Sequence, residues 1–231
     1  MRFFCCKAMF EILYEDDDIV AVNKASGLYV HQSPGHEEAS LSDLLAKTRP
    51  QMRNVGSDGR PGVVHRLDAE TSGVIVFAKT SFAYSKLRHD FEKHNGIVKK
   101  YLAVVHGSMK PSRGFIDLPI GKRSDKKRMR IGGKDAKRAF TRWEVLGRSG
   151  GVSLVEFTIE TGRTHQIRVH SAHLGFPIVG DKLYGNLLKD KKMRKLVTRQ
   201  LLHAVSLTIC HPRTSKIMEF LAPPPHDIIF V

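Results

Sequence analysis

The stretch VVHRLDAETSGVIVFAK, residues 63–79, places a polar segment between two apolar runs. Short runs rich in Val, Ile and Phe that are bounded by polar residues or Gly are typical of β-strands. We therefore predict strands over 63–67 and 74–78, joined by a hairpin-like turn. Asp68 would then end the first strand, and the alternation of side chains would place Arg66 on the same face.

Similar apolar runs recur along the chain, whereas helix signals are fewer. The other predicted strands are 19–23, 101–106, 140–146, 153–160, 204–209 and 216–221. Ser40, Ser81 and Thr164 are candidate N-caps of helices, and the stretch 187–197 is strongly basic. Because strands outnumber helices without alternating regularly with them, we predict an α+β fold with a large, mainly antiparallel sheet. No mid-chain linker rich in Gly, Ser or Pro is present, so a single domain over 1–231 is expected.

The charge of the 231-residue chain is strongly positive, with 38 Lys and Arg against 23 Asp and Glu and a net charge of +15. Residues 122–142 contain ten basic and two acidic side chains, and residues 189–199 contain six and one. Such runs are often solvated surface, but two of them together favour contacts with nucleic-acid phosphates. A membrane surface is the second candidate partner and is weaker, because the apolar face of 187–197 is modest.

The cellular location is indicated by the apolar stretches, the N-terminal residues and the cysteines of the sequence. It has no apolar stretch near the 18 or so residues of a membrane span and no secretory signal. Its three cysteines, Cys5, Cys6 and Cys210, indicate free thiols. We therefore expect a cytoplasmic protein without disulfides.

Three positions could carry chemistry. Asp68 could be a nucleophile, a general base or a metal ligand, or a turn aspartate bonded to its own backbone. In TGRTHQIRVH, residues 161–170, Arg163 falls where a strand meets a helix, so it is either a surface side chain or a partner for a phosphate or a carboxylate such as Asp68. Tyr101 could be ordinary core or could stack on a nucleic-acid base.

Metal and nucleotide chemistry find little support. The histidines considered as metal ligands are His165, His170, His173, His203 and His211, and their spacing favours satisfied helix and core residues over ligands. HExxH is absent, as are GxGxxG, GxxxxGK[ST] and GxSxG.

Four segments together resemble the RluA-type pseudouridine synthases. They are HRLDAETSG, KKYLAVVHG, TGRTHQIRVHSAHLGFPIVGDKLYG and LLHAVSLTICHP, and the resemblance in order and spacing runs over about residues 11–224. It implies a long, bent, mixed sheet with flanking helices and a central active-site cleft. It also implies isomerisation of uridine in RNA to pseudouridine without cofactor or metal. Since it begins near residue 11, we expect only the catalytic domain, without an additional N-terminal RNA-binding domain.

The resemblance also implies roles for individual residues. Asp68 would be the nucleophile, and Arg66 would fill the place of the uridine that is flipped out of the RNA helix. Tyr101 would stack on the flipped uracil and help to remove the proton from ring carbon 5. Arg163 would pair with the carboxylate of Asp68, because an opposite charge nearby favours the ionised form that a nucleophile needs.

Binding residues and partners complete these expectations. Ile167 and Leu202 would line the base pocket. The residues expected to contact the RNA backbone are Lys126, Lys127, Arg128, Arg130, Lys192, Arg194 and Lys195. The expected partner is ribosomal or transfer RNA, bound by a monomer without a membrane or an obligate protein partner. The alternatives are a non-catalytic RNA-binding protein on the same fold and a metal-dependent phosphodiesterase using Asp68, Glu70 and the histidines.

Overall fold

The structure is a computed structural model that describes residues 9–32, 38–123, 128–186, 190 and 197–229. Its strands are β1 (Phe10–Glu15), β2 (Ile19–Lys24), β3 (Gly56–Ser57), β4 (Arg60–Pro61), β5 (Ser72–Ala78), β6 (Val98–His106), β7 (Arg113–Asp117), β8 (Ile120–Lys122), β9 (Met129–Ile131), β10 (Lys134–Lys137), β11 (Phe140–Ser149), β12 (Val152–Ile159), β13 (Leu202–Cys210) and β14 (Ile217–Leu221). Its helices are α1 (Leu41–Thr48), a 3₁₀ helix (Pro50–Asn54), α2 (Ser81–Lys93), α3 (Gln166–His173) and α4 (His226–Ile229). None of these described helices is long and apolar enough to cross a bilayer.

Nine of the described strands form the main sheet. Their order is β1-β2-β5-β13-β6-β12-β11-β7, and β14 pairs with β13 outside this path. Strands β5 and β13 run parallel, and the other described pairs of this sheet are antiparallel. The predicted α+β fold with a mixed, mainly antiparallel sheet is therefore confirmed.

The central strands are buried on both faces, which explains their unbroken apolar runs. In β2, Val20 and Val22 belong to the core cluster that includes Tyr101, while Ile19 and Ala21 belong to a second cluster under α2. The first cluster marks the face of the sheet that carries the candidate site.

A small second sheet has the order β10-β8-β9 and contains much of the basic stretch 122–142. Ile120 of β8 packs with Val169 of α3, and Tyr184 lies against the same cluster. These strands were not predicted, because they are only three or four residues long and their charged residues interrupt the apolar pattern. The sheet places the described part of the basic stretch next to α3.

Helix starts were predicted with mixed success. A capping box opens α1 as expected, since the Asp43 side chain accepts from the Ser40 backbone N–H at 2.9 Å and Ser40 Oγ accepts in return. At α2 the cap is Thr80, one residue before the predicted Ser81, and its Oγ1 accepts from the N–H of Ala83 at 3.2 Å.

The predicted N-cap of α3 at Thr164 is wrong. His165 takes the N-cap position, in a left-handed conformation with φ 57° and ψ 23°, and it makes no side-chain cap bond. The side chain of Gln166 supplies the local order, because its Oε1 accepts from the Arg163 N–H at 3.0 Å and from Thr161 Oγ1 at 2.8 Å. The helix therefore begins one residue later than the prediction implies.

The predicted strand over 63–67 is also wrong. Only Val63 pairs, in an isolated bridge with Phe77, and the following residues form a loop. The N–H of Val76, which a paired strand would satisfy, instead donates to Nε2 of His65 at 3.0 Å. Asp68 therefore lies in a loop that leads into β5 and not at the end of a strand.

Some sequence predictions fall outside the described residues. Of the basic stretch 187–197, only Asp190 and Val197 are described. Cys5 and Cys6 are not described, whereas Cys210, at the end of β13, is unpaired among the described residues. The predictions for residues outside the described ranges stay predictions.

Candidate active site

The Asp68 loop enters β5 at its parallel contact with β13. Gly73 has φ +112°, and a Cβ atom there would lie 2.2 Å from the carbonyl oxygen of Ala204. Only glycine allows this close approach of the two strands. The approach sets the Asp68 loop beside β13 and β6, the strands that carry Leu202 and Tyr101.

A buried lysine supports the backbone next to Asp68. Lys24 is fully buried, and its Nζ donates to the carbonyls of Ala25, Leu28 and Ala69, each at 2.9 Å. Burial lowers the pKa of Lys24 to about 7. We did not single out Lys24 in the sequence, although a lysine at the end of the buried run IVAVNK must find polar partners.

Two more contacts hold the polar part of this loop. Ser26 Oγ donates to the Glu70 carbonyl at 2.8 Å, and Gln200 Nε2 donates to Thr71 Oγ1 at 2.7 Å. The backbone after Asp68 is therefore attached to both neighbouring segments of the fold. Such attachment keeps the carboxylate in one place, as a positioned nucleophile requires.

The carboxylate of Asp68 is held by Arg168. Nη1 of Arg168 donates to Asp68 Oδ2 at 2.8 Å, while its Nε and Nη2 bind the two oxygens of Asp181 at 2.7 and 2.9 Å. The Asp181 side chain has no exposed surface. This bidentate pair fixes the plane of the guanidinium and leaves Nη1 to hold the carboxylate of Asp68.

The predicted pairing of Asp68 with Arg163 is therefore wrong. Nε of Arg163 donates to the carbonyl of Arg138 at 2.9 Å, away from the carboxylate. Arg163 precedes α3, whereas Arg168 lies in its first turn and faces the Asp68 loop. Arg163 still lines the same cavity, and its contact with substrate stays a prediction.

A cavity of about 410 Å³ lies beside Asp68. This volume falls within the roughly 300–1,000 Å³ that is usual for small-molecule sites. The structure brings all of the predicted catalytic and substrate-binding residues to its walls, namely Arg66, Asp68, Tyr101, Arg163, Ile167 and Leu202. The apolar part of the wall comes from Ile167 and Leu202, which are each 4% exposed.

The charges around the cavity differ between its floor and its rim. Burial, with the negative charge of Asp68, raises the pKa of Tyr101, so its hydroxyl keeps its proton at neutral pH. Burial, with the charge of Arg163, lowers the pKa of Lys99 to about 8. The exposed Arg66 and the half-buried Arg163 add positive charge to the walls of the cavity.

The metal-dependent alternative is not supported by the geometry. Glu70, which that alternative places with Asp68, pairs with Lys182 at 2.5 Å. In the described part of the chain, no three His, Cys, Asp or Glu side chains are grouped to hold a metal ion. His170 bonds Thr141 Oγ1 at 2.8 Å, and His203 bonds the Ala222 carbonyl at 3.1 Å, as the prediction of satisfied histidines requires.

The structure describes two of the seven predicted RNA-backbone residues. Arg130 is exposed on β9, and Arg128 precedes it with its carbonyl bonded to the N–H of Arg123 at 2.9 Å. The others lie outside the described residues, namely Lys126, Lys127, Lys192, Arg194 and Lys195. Contact of this whole set with RNA stays a prediction.

Comparison with known proteins assigns the family. Residues 18–173 match the profile of a family described as RNA pseudouridylate synthase. A Synechocystis protein named as an uncharacterized RNA pseudouridine synthase is 39% identical over 218 residues. The match covers 93% of this chain and 65% of that protein, so the chain spans less than two thirds of this relative. Ribosomal large subunit pseudouridine synthase D of Haemophilus influenzae is 36% identical over 236 residues, covering 99% of this chain and 71% of that protein.

A solved structure extends the similarity to the fold. Human RNA pseudouridylate synthase domain containing 1 matches with a TM-score of 0.74 at 30% identity, over 94% of this chain and 84% of that one. The predicted pseudouridine synthase fold is thereby confirmed. With Asp68 at the cavity and the profile matching most of the chain, this protein belongs to the RNA pseudouridine synthase family, a family of uridine-isomerising enzymes.

Proposed function

We propose that this chain isomerises specific uridines in structured ribosomal or transfer RNA, with Asp68 as the nucleophile and without metal or cofactor. The observation that carries this proposal is the Asp68 carboxylate, which Arg168 holds at 2.8 Å beside a cavity that also contains the buried Tyr101. The name of the Haemophilus relative, a ribosomal large subunit enzyme, supports ribosomal RNA. The chain would act as a monomer in the cytoplasm.

The reaction needs only a positioned nucleophile and proton transfers. Asp68 forms a transient bond to the uridine, and the N1–C1′ glycosidic bond breaks. The uracil turns so that C5 bonds to C1′ and the bond to Asp68 breaks, while the C5 proton passes to solvent water and N1 takes up a proton from solvent. Atoms and electrons balance within the nucleotide, so the step requires no oxidant or reductant.

Access to Asp68 requires the uridine to leave the RNA helix. Flipping costs a few kcal/mol of lost stacking and pairing. The exposed guanidinium of Arg66 at the cavity mouth can occupy the vacated space, and Ile167 and Leu202 provide apolar contact for the base. The ring of Tyr101 can stack on the uracil, and its protonated hydroxyl fits this role better than that of a base.

The proposal is tested by tritium release from unmodified cellular RNA labelled at uridine C5, with excess chelator. Wild type should release tritium, and Asp68→Asn should release none while binding RNA within a few-fold of wild type. Asp58→Asn, an exposed carboxylate in the turn between β3 and β4, is the matched control and should behave as wild type. RNA binding by wild type without release would instead favour the non-catalytic alternative, and loss of activity with chelator would favour a metal.

A further inference from the structure

His165 stands in an unusual backbone conformation at the edge of the site. Its φ of 57° is in the left-handed region, which residues other than glycine rarely adopt. Its side chain lines the cavity, and its Nε2 lies 3.9 Å from Asp68 Oδ2. Backbone strain of this kind is concentrated at functional sites.

A chain of hydrogen bonds fixes the other ring nitrogen. The backbone N–H of Met129 donates to Oη of Tyr184 at 2.8 Å, and that oxygen lies 2.9 Å from Nδ1 of His165. Since Oη already accepts from Met129, its own proton is available for Nδ1. This arrangement gives every group in the series of hydrogen bonds a partner and leaves Nδ1 as an acceptor.

The side of the ring that faces Asp68 indicates the same tautomer. A nitrogen lone pair turned toward a carboxylate would be repelled, whereas an N–H is attracted. Burial lowers the pKa of His165, and the charged groups around the ring are Asp68, Arg168, Asp181 and Arg66. A neutral ring with its proton on Nε2 is compatible with Tyr184 beside Nδ1 and with Asp68 beside Nε2.

We propose that His165 donates a hydrogen bond from Nε2 to a uracil carbonyl oxygen of the uridine bound at Asp68, and that Tyr184 holds the tautomer that makes this contact possible. The proposal rests on the proposed function. A distance of 3.9 Å is too long for a bond from Nε2 to Asp68 itself, so the N–H is left for the substrate.

The chemistry explains why such a donor would matter. Whether Asp68 attacks the sugar or the ring, negative charge develops on the uracil and spreads onto its carbonyl oxygens. A donor that is already oriented toward this charge stabilises the transition state more than the ground state. His165 would therefore affect kcat more than KM.

The tautomer can be tested without turnover. In protein labelled with ¹⁵N-histidine, two-bond ¹H–¹⁵N spectra report which ring nitrogen is protonated, and His165→Asn assigns the His165 signals. We expect the neutral Nε2–H form at pH 7 in wild type and a mixture of tautomers in Tyr184→Phe. A proton on Nδ1, or a doubly protonated ring, in wild type would overturn the proposal.

The contact is tested by tritium release. His165→Ala should lower kcat about 100-fold, and Tyr184→Phe should lower it about 10-fold, the effect of losing an orienting partner. His165→Asn should recover part of the rate, because Asn tolerates the left-handed backbone and retains a donor. His89→Ala, an exposed histidine of α2, is the control and should match wild type. Melting temperatures show whether each variant is folded.

Substrate analogues identify the acceptor. RNA transcribed with 2-thiouridine or 4-thiouridine weakens one carbonyl acceptor at a time. On one of these two RNAs, the kcat of His165→Ala should lie only a little below that of wild type on the same RNA. If the effect of His165→Ala is suppressed only by 2′-fluorouridine, the acceptor is a ribose hydroxyl and the carbonyl assignment is wrong. If wild type turns over, Asp68→Asn does not, and folded His165→Ala keeps the wild-type kcat, the contact alone is refuted. Wild type without turnover would refute the proposed function and the contact together.

Discussion

Nη1 of Arg168 lies 2.8 Å from Oδ2 of Asp68, although one hundred positions separate the two residues in the chain. The remaining nitrogens of the same guanidinium bind the buried Asp181, so Arg168 bridges two carboxylates. Of the two carboxylates, that of Asp68 lies nearer to the cavity. The side chain of Asp68 is 19% exposed, while that of Asp181 is fully buried. The inner pair orients the guanidinium, and the outer pair orients the carboxylate of Asp68, the proposed nucleophile.

Replacement of Arg168 should separate its two roles. Arg168→Met leaves Asp181 buried without a counter-charge, and we expect a loss of about 3–5 kcal/mol in the free energy of unfolding. Arg168→Lys keeps the charge but lacks the planar fork that binds both carboxylates. We expect it to fold with a kcat about 10- to 100-fold below wild type. Urea denaturation and tritium release measure the two effects, and a fully stable Arg168→Met would contradict this account.

Arg163→Ala should reduce activity far more than stability. The side chain makes one hydrogen bond to a carbonyl at a half-exposed position, so the free energy of unfolding should fall by about 1 kcal/mol. Its charge lies at the cavity, so kcat/KM should fall as RNA binding weakens. Urea denaturation and steady-state kinetics provide the comparison. An unfolded variant would show that the role of Arg163 is chiefly structural.

Tyr101→Phe should bind RNA within a few-fold of wild type, because the ring that stacks on the base is retained. Tyr101→Ala removes the ring and should cost about 1–3 kcal/mol in binding. Filter binding at one fixed salt concentration measures both variants in the Asp68→Asn background, so that turnover does not interfere. Equal affinities for the two variants would argue against stacking.

Lys24→Met should disturb both stability and catalysis. Three part-buried carbonyls would each lose a hydrogen bond at once, that of Ala69 still accepting from the Gly27 N–H, and we expect about 2 kcal/mol of lost unfolding free energy. Because one of these carbonyls belongs to Ala69, the Asp68 loop should shift and kcat should fall. Lys47→Met, on the exposed side of α1, is the control. Wild-type stability in Lys24→Met would show that the carbonyls find other partners.

Lys99 should give the stability a pH dependence. In the folded protein Lys99 loses its proton near pH 8, whereas in the unfolded chain it keeps the proton to about pH 10.5. Between these values the unfolded state binds more protons, so the free energy of unfolding should rise with pH in this window. Urea denaturation at pH 8 and pH 10 should show a smaller rise for Lys99→Met than for wild type. Equal rises would contradict the lowered pKa.

Particular strands show which elements a sequence pattern predicts correctly and which it does not. The runs over 74–78 and 101–106 were correctly predicted as strands, because a strand buried on both faces needs consecutive apolar side chains. The run over 63–67, VVHRL, was predicted as a strand in the same way and forms none, since the His65 side chain takes the N–H of Val76. The strands of the small sheet were missed because they are short and their charged residues interrupt the apolar pattern.

The sequence by itself determined the α+β class, because strands and helices follow from local periodicity, and the order of its motifs carried the resemblance that implied which residues meet at the cavity. Only the tertiary structure decided that Arg168 and not Arg163 holds Asp68, that Lys24 supports the loop and that Tyr184 meets His165. A hydrogen bond depends on the distance and direction between two groups. For groups far apart in the chain, the packing of strands and helices sets both, and no local pattern records them.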